Sequence, residues 1–187
     1  MNRILLIVLA SFLVMTFPEI FRATQNASRK AVPMTPLRQI VPEVRTPSLP
    51  NSRITDRMRI VVRDRAAWIS LWNQINNLDP RQPLPDFPPL PEIDFSREML
   101  IVAAMGQQPS SGYSIIIEEV YANDRNDRCE VVVRSFDRTK CLGQAAVIVS
   151  PVDIVRVPRS DCTAVFSEQE DVTCGPLYSP TTPGRQP

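Results

Sequence analysis

Histidine is absent from this 187-residue chain. That removes Ser-His-Asp and Cys-His catalysis, histidine zinc ligation and the commonest general base. Lysine is nearly absent too, with Lys30 and Lys140 the only two, and a net charge of +1 leaves no basic excess. Neither a nucleic-acid footprint nor a polybasic membrane patch is therefore expected. Glycine is scarce, at 5 residues against 19 prolines. Proline fixes φ and removes a backbone donor, which excludes a helical bundle and suits short strands joined by stiff loops.

What is present begins with Met1-Asn2-Arg3, followed by an apolar run from Ile4 to Phe17. A positive residue ahead of such a run reads as a secretory signal. A bilayer-spanning helix needs about 20 apolar residues, and Pro18-Glu19 interrupt the run first. We expect residues 1–22 to be a signal peptide or an uncleaved signal anchor, the latter being the one expected route to a membrane. Residues 23–53, with Pro33, Pro36, Pro42, Pro47 and Pro50, show no apolar period and read as a disordered, polyproline-like spacer. Residues 168–187, with Pro176, Pro180, Pro183 and Pro187, read as a second proline-rich tail.

The folded domain is expected over residues 54–167. Residues 57–63 form a β-branched opening strand. Asp64 suits a helix N-cap, and Trp68, Leu71, Trp72 and Ile75 then fall on one helical stripe. Both tryptophans of the chain lie there, and the simplest role for the stripe is packing on a sheet. Residues 79–92 carry six prolines and read as a surface excursion. Seven apolar residues, 99–105, suit a strand buried on both faces. Further strands are expected at 113–121, 129–136, 145–149, 152–157 and 163–166. The fold class is α+β: a β-rich single domain of sandwich-like antiparallel sheets with one amphipathic helix near its N-terminus.

Four cysteines, Cys129, Cys141, Cys162 and Cys174, follow the export signal. An even count in that context reads as two disulfides. No CxxC pair supports a zinc site, and no metal or cofactor is expected. Four cysteines allow three pairings. An antiparallel pairing of 129–136 with 152–157 would bring Cys129 near Cys162 and leave Cys141 for Cys174. Among the carboxylates, Glu118 and Glu119 are adjacent, so strand alternation should send them to opposite faces. Asp94 suits a turn or cap. No carboxylate pair reads as an acid–base couple, and we expect a protein that is not an enzyme.

The ordered pieces Trp68-xxx-Trp72, Pro91-Glu92-Ile93-Asp94-Phe95, Gly106-Gln107-Gln108-Pro109-Ser110-Ser111-Gly112-Tyr113, Ser150-Pro151 and Val155-Arg156-Val157-Pro158-Arg159 resemble the PrcB C-terminal domain family. The resemblance spans roughly residues 57–166. Gln108 stands where that family usually has arginine, and Ser110-Ser111 where threonine and glycine are usual. The family takes its name from a subunit that associates with and helps stabilise a cell-surface protease complex. The resemblance thus implies an envelope interaction domain with a protein partner, such as a protease, and no catalytic residues. The Gly106–Tyr113 loop is also similar to the inhibitory loop of chagasin-type cysteine-protease inhibitors. Proline stiffens such a loop, glycine permits φ > 0 and tyrosine anchors the next strand. It is our candidate partner-binding loop, with protease inhibition as the alternative and an ordinary turn as the plainest reading.

The export signal and the cysteines generate one expectation. A reporter fused after residue 187 should be shielded from protease added to intact cells, and the exported chain should contain no free thiol by mass spectrometry. Recovery of the full chain in the cytosol with all four cysteines alkylatable would overturn it.

Overall fold

A computed structural model of the chain describes residues 29–37, 52–76, 90–123, 127–141 and 143–174. The expected signal at 1–22, most of the proline-rich excursion and the end of the tail lie outside the described residues.

Eight strands and one helix are described: β1 (Arg29–Ala31), β2 (Thr35–Pro36), β3 (Met58–Val62), α1 (Arg65–Asn76), β4 (Glu98–Ala104), β5 (Tyr113–Asn123), β6 (Arg128–Asp137), β7 (Val152–Pro158) and β8 (Thr163–Asp171). They form two four-stranded sheets, ordered β1-β5-β6-β8 and β2-β7-β4-β3. All pairings are antiparallel except β6 with β8, which is parallel. The β-rich α+β class is as expected.

The apolar run in β4 explains the layering. Leu100, Val102 and Ala104 alternate onto the face that packs against Trp68, Leu71, Trp72 and Ile75 of α1. Met99, Ile101 and Ala103 turn the other way and meet Ile115, Ile117, Val131 and Val133 of the facing sheet. The β2-β7-β4-β3 sheet is thus the middle of three layers, and period-two alternation puts apolar groups on both its faces. The helix starts where Asp64 Oδ1 accepts the Ala67 N–H at 2.8 Å, an N-cap bond. Its other end is tied by Arg53 N–H donating to Ile75 O at 2.9 Å.

Two stretches expected in the tails belong to the fold. Arg29–Ala31 pairs with β5 and Thr35–Pro36 with β7, so residues 29–37 cross from one sheet to the other along an open side. Leu37 is buried in the helix-side core, and Val32 and Met34 pack between the sheets. Such short strands are made by docking onto existing sheet edges, where proline's missing donor is tolerated, so local propensity does not announce them. At the other end β8 runs on to Asp171, past the expected boundary at 167. On its open side, Arg59 donates to Glu168 at 2.7 Å, and Arg63 Nη2 donates to Cys162 O at 2.7 Å. Burial alone would raise the Glu168 carboxyl pKa, but hydrogen bonds from Arg57 and Arg59 outweigh it and hold it below its ordinary value.

Both disulfides are formed, Cys129–Cys162 and Cys141–Cys174, each with Cα atoms 5.6 Å apart. The pairing matches the conditional reading, but its geometric basis does not. Residues 128–137 do not pair with β7, which lies in the other sheet; they pair in parallel with β8. Each disulfide has a sequence separation of 33. The two therefore fasten the β6–β8 pair at opposite ends.

A β-bulge lies between Ile117 and Glu119 of β5. It resets the alternation, letting Ile115, Ile117 and Val120 all reach the core. It also corrects the expectation that Glu118 and Glu119 diverge. Glu118 binds Arg134 and Glu119 binds the Tyr121 hydroxyl, both on the outer face. The bulge's Ile117 N–H donates instead to Asp153 Oδ2 at 2.8 Å, and Asp153 is only 4% exposed. An unsatisfied buried donor costs about 1–3 kcal/mol. Asp153→Ala should lower stability by that order in urea unfolding, and Asp153→Asn, which keeps an acceptor oxygen, by less. Equal losses in the two variants would place the contribution of Asp153 elsewhere.

Candidate docking site at one end of the sandwich

Antiparallel pairing of β4 with β3 and β7 brings the end of β4 together with the starts of β3 and β7. The start of β5 and the ends of β6 and β8 gather at the same end. The Gly106–Tyr113 loop is located there.

Its conformation is imposed from both flanks. Gly106 has φ +76°, and an added Cβ would sit 2.7 Å from Thr55 O. Gln107 N–H donates to Thr55 O at 3.0 Å. Gln108 and Val149 exchange backbone bonds of 2.8 and 2.9 Å. Pro109 is exposed. Ser110 Oγ accepts the Gly112 N–H at 3.1 Å, and Ser111 N–H donates to Ala145 O at 3.0 Å while Ser111 Oγ accepts the Ala145 N–H at 2.8 Å. Gly112 is buried, and its Cβ would stand 2.8 Å from Thr139 N. Tyr113 opens β5 opposite Asp137. Bonds from the Thr139 backbone and hydroxyl hold the Asp137 carboxyl pKa below its ordinary value, with the Tyr113 hydroxyl adding to them.

The structure thus brings all eight candidate residues into one loop, with Gln107, Pro109 and Ser111 exposed. It also reveals residues the sequence reading misplaced. Residues 145–149 were expected to be a strand, yet only Val149 forms a β-bridge, to Gln108. The chain here crosses from one sheet to the other, so most of the β-branched run has no neighbouring strand to pair with. Val147 and Ile148 are consequently 49% and 67% exposed, and Val172 at the same end is 66% exposed. A β-branched run between Gly143 and Pro151 was the available signal, and periodicity alone cannot tell such a run from a strand.

The other quoted motifs lie elsewhere and knit the fold. Trp68 Nε1 donates to Pro91 O at 3.0 Å. Asp94 Oδ1 accepts the Ser96 N–H at 3.0 Å, and Asp94 O accepts the backbone N–H of Arg97 and Glu98 at 2.9 and 2.8 Å. Arg159 Nη1 donates to Phe95 O at 2.6 Å and Arg63 O at 2.9 Å, joining the turn before β4 to the end of β3.

Residues 99–158 match the PrcB C-terminal family. The PrcB C-terminal match runs from β4 through β7 and includes the whole candidate loop. It supports the family resemblance drawn from the motifs. No curated protein and no solved structure matches the chain.

Among the described residues, no three His, Cys, Asp or Glu side chains gather where they could hold a metal ion, and no helix is long and apolar enough to cross a membrane. A hollow of about 230 Å³ on the outer sheet face is lined by Arg29, Tyr121, Arg128 and Glu130 among others. Arg29 is already engaged there by Glu130 and by the Tyr121 ring.

The glycines of this end should rank by what surrounds them. Gly143 has φ +85° but open space around it, so Gly143→Ala should cost about 1 kcal/mol, the left-handed penalty alone. Gly106→Ala adds a backbone clash to that penalty and should cost more, about 2–3 kcal/mol. Thermal midpoints of the two variants check the order, and equal midpoints would contradict it.

Proposed function

We propose that this is an exported, non-enzymatic binding domain that docks an extracytoplasmic protease, or another envelope protein, through the end of the sandwich formed by residues 106–112 and 143–149. The observation that carries the reading is the pairing of rigidity with exposure. Backbone bonds at Gln108, Ser111, Ala145 and Val149 hold the two segments together, while Val147 and Ile148 stay exposed at 49% and 67%. Exposed apolar side chains gain from being covered by a partner, and a surface already held in place loses less conformational entropy on docking. The protease-complex association suggested by the PrcB C-terminal match supports the choice of partner class. Two disulfides support an oxidising compartment.

Association is favoured over cleft-blocking inhibition by the same backbone bonds. They make the Gly106–Tyr113 loop one wall of a two-segment surface, whereas a cleft-blocking wedge needs a projecting loop.

The test uses the full chain, because residues 29–37 are part of the fold. Gln107→Ala, Val147→Asp and Ile148→Asp alter exposed positions, where substitutions usually change stability by no more than about 0.5 kcal/mol. Truncating a central contact costs about 2 kcal/mol or more in binding. At least one of the three should weaken capture of an envelope protease about tenfold or more, with the thermal midpoint nearly unchanged. Undiminished affinity in all three would refute this docking site. An activity assay on the captured protease then distinguishes association from inhibition.

A further inference from the structure

The two disulfides differ sharply in access. Cys129 and Cys162 are 2% and 7% exposed and belong to the core between the sheets. Cys141 is half-buried and Cys174 is exposed. Cys141 also sits in the segment that crosses between the sheets, four residues before Ala145. Among the described residues, that segment has no strand between Asp137 and Val152. Its stretch up to Val149 is tied to the rest of the domain, among the described residues, by Arg138 N–H to Gly112 O, the Ser111–Ala145 bonds and the Gln108–Val149 bridge. The residues just before β7 are tied by Met105 N–H to Pro151 O and Ser52 Oγ to Ser150 O.

We propose that Cys141–Cys174 is a thiol–disulfide exchange site for a dithiol, and that its opening loosens residues 138–141 and 143–149 while Cys129–Cys162 keeps β8 on β6. Exchange requires a thiolate to reach a disulfide sulfur, so rate follows access. One thiolate of the dithiol attacks the exposed Cys174 sulfur, forming a mixed disulfide and expelling Cys141 as a thiolate. The second thiol of the reagent then attacks the mixed disulfide and releases Cys174. The reagent leaves as its own disulfide, having passed two electrons to the protein, which retains two thiols. The same attack on Cys129–Cys162 requires the sheets to separate. β8 also keeps its nine parallel register pairs with β6, so the fold persists when the exposed bond opens. The loosened segment carries Val147 and Ile148. The further consequence, weaker docking, rests on the function proposed above.

The folded, oxidised full chain is treated with dithiothreitol, quenched by alkylation at intervals and mapped by mass spectrometry, with amide hydrogen exchange followed in parallel. Cys141 and Cys174 should become labelled at least tenfold faster than Cys129 and Cys162. Exchange at the Ser111, Ala145 and Val149 amides should rise while that of central β6 does not. The double variant Cys141→Ser, Cys174→Ser should reproduce the loosened exchange pattern, and the reduction data decide the matter if it fails to fold. Equal labelling rates, or unchanged exchange at those three amides once the bond is open, overturns the proposal. Selective opening and loosening with no change in partner affinity upholds the exchange site and refutes the docking reading.

Discussion

The two-sided burial of β4 is the constraint on which the remaining architecture depends. Residues 99–104 are each at most 2% exposed, and they present apolar atoms alternately to both faces. A sheet containing such a strand is unstable unless both faces are covered, because each face left wet forfeits the burial of its aliphatic side chains. The tryptophan-bearing helix covers one face and the β1-β5-β6-β8 sheet covers the other. The bulge in β5 follows from the same demand, since it brings both Ile117 and Val120 to that interface. Asp153 is the polar counterpart, set among apolar neighbours to accept the N–H of Ile117.

A sandwich built this way has two open sides and two ends, and the chain treats each differently. Residues 29–37 strap one side, while Arg59 and Arg63 bridge β3 to the β8 region on the other. At one end Arg159, Asp94 and Pro91 make a clasp of backbone-directed hydrogen bonds. Their side chains and carbonyls are occupied in holding the turn before β4. The opposite end is held mainly by backbone bonds between loops, which leaves the side chains of Gln107, Val147 and Ile148 facing solvent. This division separates the residues that hold the fold from those of the proposed recognition surface. Motif residues at the clasp serve the fold, and the opposite end is where side chains can vary without unfolding the domain.

The disulfides follow the same division. β8 is an edge strand in a parallel pair, formed beyond the last residue of the PrcB C-terminal match, and edge strands have neighbours on one side only. A cross-link at each end of β6–β8 supplies what the missing neighbour does not. The cross-link at the clasp end is sealed in the core, and the one at the loop end is open to solvent. Covalent restraint is therefore deepest where the domain is most buried and most accessible where the proposed recognition surface lies.

Legibility in the sequence followed how local each determinant was. Asp64, Trp68, Leu71, Trp72 and Ile75 announced the helix and its buried stripe because capping and a 3.6-residue period are written along the chain. Residues 99–105 announced a doubly buried strand because an unbroken apolar run has few other uses. The expectations of export and of a non-enzymatic role, and the choice of candidate loop, rest on composition, a leading apolar run and an order of motifs. Tertiary structure decided the rest. Residues 29–37 became strands because sheet edges were there to receive them, and residues 145–149 remained outside the sheets because they had to cross between them. Glu118 and Glu119 came to one face through a bulge that a run of consecutive residues does not advertise. The cysteine pairing rests on a parallel β6–β8 contact between segments far apart in sequence, and the exposure of Val147 and Ile148 on which strands were already paired. Local periodicity is a property of neighbouring residues, whereas edge docking, crossing paths and exposure depend on partners that only the folded chain supplies.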